Sequence, residues 1–137
     1  MEWPDDSSFD AYYVLDMDPV AASRPRVRVI GKGRTVAYYT GKYKTFKEQT
    51  APSVIQSCVT HTFEKGTPLI VYAGFYGTKP RTSKLSYPNP DIDNYLKALF
   101  DVMNGTQWYD DRDVVELHSE KAWAEEAGHI RFGIALK

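Results

Sequence analysis

Apolar residues recur along this chain with two periods, and the change from one to the other marks where strands give way to helices. Phe9 to Met17, aromatic and β-branched, reads as a first strand. After a Pro- and Ala-rich passage from Pro19 to Pro25, Arg26-Val27-Arg28-Val29 alternates polar with apolar. Gly31-Lys32-Gly33 then supplies a turn, and Arg34 to Tyr39 continues as a second β-like run. The expected product is a hairpin studded with arginines. From Thr40 the spacing becomes helical, with Tyr43, Phe46, Lys47 and Thr50 on one face, continued by Val54, Ile55, Cys58, Val59 and Thr62. Pro52 interrupts this pattern: either one helix kinks there, or a second begins near Thr50 with Pro52 in its first turn. Leu69 to Phe75 is apolar on both faces, as expected of a central strand or one covered by a partner. Gly77 to Pro90, with three prolines and three basic residues, reads as a loop.

Asp93 to Asn104 carries the clearest helical pattern. Leu96, Leu99, Phe100 and Met103 form one apolar stripe, Asn94, Lys97 and Asp101 the polar face, and Gly105 stands where a left-handed cap belongs. Val114 to Trp123 and His129 to Leu136 follow as strands, the second alternating at Ile130, Phe132, Ile134 and Leu136, and the Glu125 to Gly128 segment between them suggests a terminal hairpin. The predicted fold is α+β: one domain over residues 1–137, a mixed β-sheet, a basic hairpin and two main helices, with residues 1–8 as a flexible lead.

Length and composition agree with that picture. The chain has 137 residues, 42% of them hydrophobic and 26% charged, which suits one globular domain. A single cysteine, Cys58, excludes an internal disulfide and a cysteine-built zinc site, and its place in the helical pattern puts it in the core. The longest apolar run, Pro68 to Tyr76, is about half of what a bilayer crossing requires, and the acidic start is unlike a signal peptide. The expected protein is soluble, cytoplasmic and without membrane contact.

The net charge of −1 conceals a strong asymmetry. Residues 1–19 carry six acids and no bases, residues 20–50 eight bases and one acid, and residues 91–126 ten acids and three bases. Such a chain is able to bind a polyanion with one block and divalent cations with another.

The acids worth singling out are in Asn89-Pro90-Asp91-Ile92-Asp93-Asn94-Tyr95-Leu96-Lys97. If the chain enters the helix extended, Asp91 and Asp93 point to the same side. Asp93 has a simpler use as helix N-cap, which leaves Asp91 unexplained. Lys97 follows one turn later, as a counter-ion or a phosphate contact. A second cluster, Asp110-Asp111-Arg112-Asp113, lies beyond a helix of about 18 Å. It reaches the first pair only if the Gly105 to Tyr109 link folds back along the helix or a partner subunit supplies the neighbourhood. Carboxylates without softer ligands select Mg²⁺ or Mn²⁺, ions suited to phosphodiester hydrolysis. An EF-hand from Asp91 fails, because Tyr95, Leu96 and Val102 occupy its fifth, sixth and twelfth positions. Cys58 and His61 lack a partner pair for zinc, His118 and His129 are isolated, and no dinucleotide fingerprint or nucleophile elbow occurs.

Asp91-Ile-Asp93-Asn94-Tyr-Leu-Lys97-Ala98, continued by Asp101-Val-Met-Asn104-Gly105 and Trp108-Tyr-Asp110-Asp111-Arg-Asp-Val114-Val115-Glu116, resembles the signature of the RusA-type Holliday junction resolvases of bacteria and phages. The Arg24-Pro25-Arg26 passage, the Gly31-Lys-Gly33-Arg34 hairpin and the basic helix near Tyr43 are more loosely similar. The resemblance implies a homodimeric, Mg²⁺-dependent endonuclease that nicks symmetric strands of a four-way DNA junction, with no small-molecule cofactor, in a bacterial cell or phage-infected host. It implies catalytic, metal-holding roles for Asp91, Asp93 and Asp111, support from Asp110, and a catalytic lysine at Lys97. Tyr87-Pro88-Asn89-Pro90 stands where relatives often have a basic residue, so grip near the site falls to Lys79, Arg81 and Lys84. Arg24, Arg26, Arg28, Lys32, Arg34, Lys42, Lys44 and Lys47 are the further candidates for DNA contact. A flap or fork nuclease with the same site, and a non-catalytic binder of branched DNA, are the alternatives.

A basic half that holds DNA leads to a measurable expectation: affinity for a four-way junction falls linearly in log–log plots against salt, despite a pI near 6.3. Salt-independent binding in a fluorescence-anisotropy titration would contradict it.

Overall fold

The computed structural model describes residues 1–23, 26–38, 41–58, 62–108 and 110–137. It is α+β: a four-stranded mixed sheet, a separate two-stranded hairpin, and helices packed on one sheet face. The strands are β1 (Ala11–Leu15), β2 (Arg26–Ile30), β3 (Arg34–Tyr38), β4 (Leu69–Gly77), β5 (Val114–Trp123) and β6 (His129–Leu136). The helices are α1 (Gly41–Thr45), α2 (Ala51–Cys58) and α3 (Ile92–Met103). Among the described residues no helix is long and apolar enough to cross a membrane.

The order of the main sheet is β1-β6-β4-β5. The double apolarity of β4 is explained by its place, since it is hydrogen-bonded on both edges and covered on both faces. Leu69, Val71, Ala73 and Phe75 point toward the helices and are buried. On the other face Trp3 and Phe9 pack against Tyr72, with ring centroids 5.8 and 5.5 Å apart, and Phe9 lies over Gly133, where a Cβ would come within 2.6 Å of its ring. The first residues lie against this face: Trp3 Nε1 donates to Tyr76 Oη, and Arg131 sits 4.0 Å over the Trp3 ring while its guanidinium reaches Asp6 at 3.0 Å.

Several sequence expectations are corrected. β5 and β6 do not form a terminal hairpin, because β4 lies between them, parallel to β5 and antiparallel to β6. Ile130, Phe132 and Ile134 are buried as the alternation predicts, but Leu136 at the strand end is exposed. The first strand is shorter than Phe9 to Met17. The start of the helical pattern at Thr40, the end of the hairpin at Tyr39, and Val59 lie outside the described residues. Thr62 falls beyond the end of α2, exposed rather than on its face.

Pro52 lies in the first turn of α2, which begins at Ala51, as the second alternative expected, but no loop separates α2 from what precedes it. α1, a π segment (Phe46–Thr50) and α2 run on without a break, and Ala51 N–H bonds the Phe46 carbonyl five residues back. Proline lacks an N–H and its ring crowds the carbonyl four residues earlier, and the wider π turn just ahead of Pro52 accommodates both defects. Tyr43, Phe46, Ala51 and Ile55 still reach the core, and Cys58 packs half-buried at its edge.

α3 starts one residue earlier than predicted, with Asp91 as N-cap and Ile92 as first helical residue. Its buried face is Tyr95, Ala98, Leu99, Val102 and Met103, rotated from the expected stripe, so that Leu96 and Phe100 sit half-buried on its flank. Gly105, at φ +79°, ends it as the pattern predicts, and the Thr106 hydroxyl donates to the Val102 and Met103 carbonyls.

Candidate active site

α3 carries the signature acids on a frame fixed by the sheet. β4 and β5 are parallel neighbours, so the chain must return the full length of β4 between them, and α3 makes that return. Its start therefore lies near the C-terminal end of β4, where Lys121 Nζ donates to the Pro90 carbonyl at 2.8 Å. Its end lies near the beginning of β4, where Leu69 pairs with Val114.

At the start, Asp91 is extended (φ −66°, ψ 141°) and its backbone carbonyl accepts from the Asn94 and Tyr95 N–H groups. The Asp91 side chain makes no capping bond. Asp93 is already in the first helical turn, so neither the expected N-cap use of Asp93 nor an extended Asp91–Asp93 strand pair is found. Both carboxylates are exposed. A groove of about 350 Å³ opens at the preceding residue, Pro90, lined also by Val20, Ser23, Lys42 and Tyr43. Ala22 N–H bonds the Asn94 carbonyl and ties the preceding strand–hairpin link over this end of α3.

Lys97 is exposed and pairs with Asp101 one turn on, at 3.6 Å. Asp101 also accepts from Tyr43 Oη at 2.6 Å, which joins α1 to the last turn of α3.

At the far end, Asp110 caps a short 3₁₀ turn (Asp111–Asp113) by accepting from the Arg112 N–H. That bond, with one from Asp111, holds Asp110 below the usual carboxylate range. Asp111 is pushed up, mainly by partial burial and then by Asp110, against the lowering effect of a bond from Asn104. Asp101 raises it further. Asn104 in turn accepts from Trp108 Nε1 at 2.6 Å, so the buried Trp108 aligns the residue that holds Asp111. Asp113 serves the fold: it is buried and accepts from the Gly66 N–H at 3.0 Å.

The two acid clusters thus remain apart within one chain. Asp91 and Asp93 stand at one end of a twelve-residue helix about 18 Å long, and Asp111 lies beside Asn104 at the other. Among the described residues no three His, Cys, Asp or Glu side chains are gathered closely enough to hold a metal. The link from Gly105 folds back only onto the last turn of α3, where Trp108 packs on Phe100 at 5.3 Å, and it is tied to the residues before β4 by the bond from Phe63 N–H to the Gln107 carbonyl.

The basic candidates are spread around this frame. Arg28, Lys32 and Arg34 are exposed on the β2–β3 hairpin, Lys42 and Lys44 lie on α1, Lys47 on the π segment, and Lys79, Arg81 and Lys84 are exposed in the loop before α3. Arg26 opens β2, and Arg24 lies outside the described residues. Sequence reasoning missed the parts played by Tyr43, Asp101 and Asn104. The helical spacing Asp93, Lys97, Asp101, Asn104 was the available signal, since it places all four along one side of α3.

The two kinds of acid separate by stability. Asp113→Ala strands the Gly66 N–H and is expected to cost about 1–3 kcal/mol; exposed Asp93→Asn should stay within about 0.5 kcal/mol. Urea unfolding of both variants measures the difference, and equal effects would refute the assignment.

Among curated proteins no relative matches the chain. The family model described as endodeoxyribonuclease RusA matches residues 16–134, a range that includes α3, both acid clusters and the basic hairpin. By that match the chain belongs to the RusA family of endodeoxyribonucleases, the enzymes that resolve Holliday junctions.

Proposed function

We propose that the protein is a Mg²⁺-dependent endonuclease that works as a homodimer on four-way DNA junctions, nicks two opposed strands symmetrically, and builds each active site from both chains. The observation that supports this is the division of the signature acids between the two ends of α3. A two-fold axis across the middle of α3 sets two such helices antiparallel, with the start of each beside the end of the other. One operation then completes two sites, which suits two cuts in a substrate of two-fold symmetry.

Apolar surface for this contact exists. β5 is an edge strand, and Val115 and Leu117 on it are exposed. Leu117 is in register with Val71, so it lies on the α3 side of the sheet, the side on which α3 leaves Leu96 and Phe100 half-covered. An unpaired, partly apolar strand edge is a liability unless a partner covers it.

Nucleases of this family generally depend on a divalent metal. The donors here are right in kind, since all are carboxylates that offer hard oxygens. Asp91 and Asp93 of one chain, with Asp111 of the other, would hold Mg²⁺ or Mn²⁺, and Asp110 would orient Asp111. Bound there, the ion supplies an acidified water and neutralises charge on the phosphorus oxygens. Lys97, released from Asp101, contacts a phosphate oxygen and stabilises its developing charge. Lys42, in the groove beside Pro90, holds the strand entering the site, and Lys79, Arg81 and Lys84 grip it from the loop above. Arg24, Arg26, Arg28, Lys32, Arg34, Lys44 and Lys47 position the junction arms through phosphates without reading sequence. Such an enzyme works on DNA in the cytoplasm of a bacterial cell or phage-infected host.

Asp93→Asn and Asp111→Asn should each abolish Mg²⁺-dependent nicking of a mobile four-way junction while junction binding persists. Co-refolding the two inactive variants tests the shared site. Half of the mixed dimers are heterodimers, each with one doubly damaged and one intact site, so nicking should return to about a quarter of wild type. No recovery would mean that each site belongs to a single chain.

A further inference from the structure

Between residues 27 and 37 the β2–β3 hairpin contributes nothing to the core. Every residue in 27–37 is exposed, and no atom lies within 4 Å of a Cβ built on Gly31 or Gly33. A two-stranded hairpin is marginal by itself, and this one also exposes Val27 (64%), Val29 (69%), Ile30 and Val36. The fold therefore keeps an arm whose aliphatic side chains are uncovered.

The register sorts that arm into two unlike faces. Arg28 pairs with Val36 and Ile30 with Arg34, so cations and aliphatics share one face. Val27 pairs with Ala37 and Val29 with Thr35, so the opposite face holds no charge. The arm as a whole carries Arg26, Arg28, Lys32 and Arg34 and not one acid. That charge decides between occupants. Two copies of so cationic a hairpin repel one another, whereas a polyanion is drawn to it. Among polyanions, only one with exposed base faces offers an apolar counterpart to Val27 and Val29. A four-way junction has such faces where its arms meet and stacking is interrupted.

We propose that the Val27/Val29 face of the hairpin inserts against unstacked base pairs at the junction centre, as an aliphatic wedge, while Arg28 and Arg34 on the other face hold flanking phosphates. This rests on the junction-cutting function above and adds to it an element that opens the substrate. Apolar side chains driven between base steps pay for unstacking by the wider contact that the distorted DNA allows.

The test uses full-length protein without added metal, so that DNA stays whole, and a four-way junction with 2-aminopurine at the crossover. Wild type should raise the 2-aminopurine emission on binding. Val27→Thr/Val29→Thr keeps side-chain shape and β-branching but makes the face polar. It should bind the junction within about twofold of wild type, because the phosphate contacts remain, yet lose most of the emission rise. Arg28→Ala/Arg34→Ala should do the reverse: affinity about tenfold weaker at moderate salt, with full emission at saturation. An undiminished rise with the valine variant overturns the wedge. So does joint loss of binding and emission, or a fall from dimer to monomer in sedimentation, which would make the face a contact between copies. If wild type itself neither binds nor cuts junctions in Mg²⁺, the failure lies with the resolvase reading and is visible before any variant is made.

Discussion

The seating of α3 on β4 is the contact on which the remainder of the molecule depends. Tyr95, Ala98, Leu99, Val102 and Met103 face Leu69, Val71, Ala73 and Phe75, and the rings of Phe75 and Tyr95 stack at 5.2 Å. Each such aliphatic or aromatic side chain contributes about 1.5–3 kcal/mol on burial. The same contact fixes function through topology. Because β5 returns parallel to β4, the connecting helix must span the sheet, and whatever its two ends carry is held a helix length apart. The separation of the acids is thus a geometric result of a parallel crossover, and the proposed sharing of the site between two chains starts from it.

Much of this was legible in sequence because local pattern and tertiary demand agree. The alternation in β6, the doubly apolar β4 and the Gly105 stop each have one cause that acts within a few residues. The hairpin was legible for the same reason. Failures came where a distant partner decides. Nothing local in the Glu125 to Gly128 segment reveals that β4 will enter between β5 and β6. The buried face of α3 is rotated from the Leu96, Phe100 stripe because Tyr95 is claimed by Phe75 across the core. At the site, sequence identified the acids but not their distribution in space, since a motif gives order along the chain and α3 turns that order into separation.

The acidic first segment, which charge counting left without a use, is largely structural. Asp5 caps a short turn through the Ser7 N–H, Asp6 pairs with Arg131, Asp10 accepts from the Leu136 N–H, and Asp18 accepts from both the N–H and hydroxyl of Thr78. These bonds pin the segment that covers the second face of β4 with Trp3 and Phe9. Exposed pairs of this kind are individually weak, but here they direct where two large aromatic rings are buried.

The π segment before Pro52 carries a consequence for how this chain tolerates changes of length. It holds one residue more than the α-helical turn it replaces and absorbs it within the wider turn, so Ala51 and Ile55 stay on the buried side set by Tyr43 and Phe46. Deleting Gln49 would turn the segment into an ordinary α-helical turn and keep Ala51 and Ile55 on the same side as Tyr43 and Phe46, but it would bring the Pro52 ring against the carbonyl one turn back. The obstacle to shortening this helix is therefore the proline and not the packing of its buried face. The proline and the π segment are a matched pair, and neither is free to change without the other.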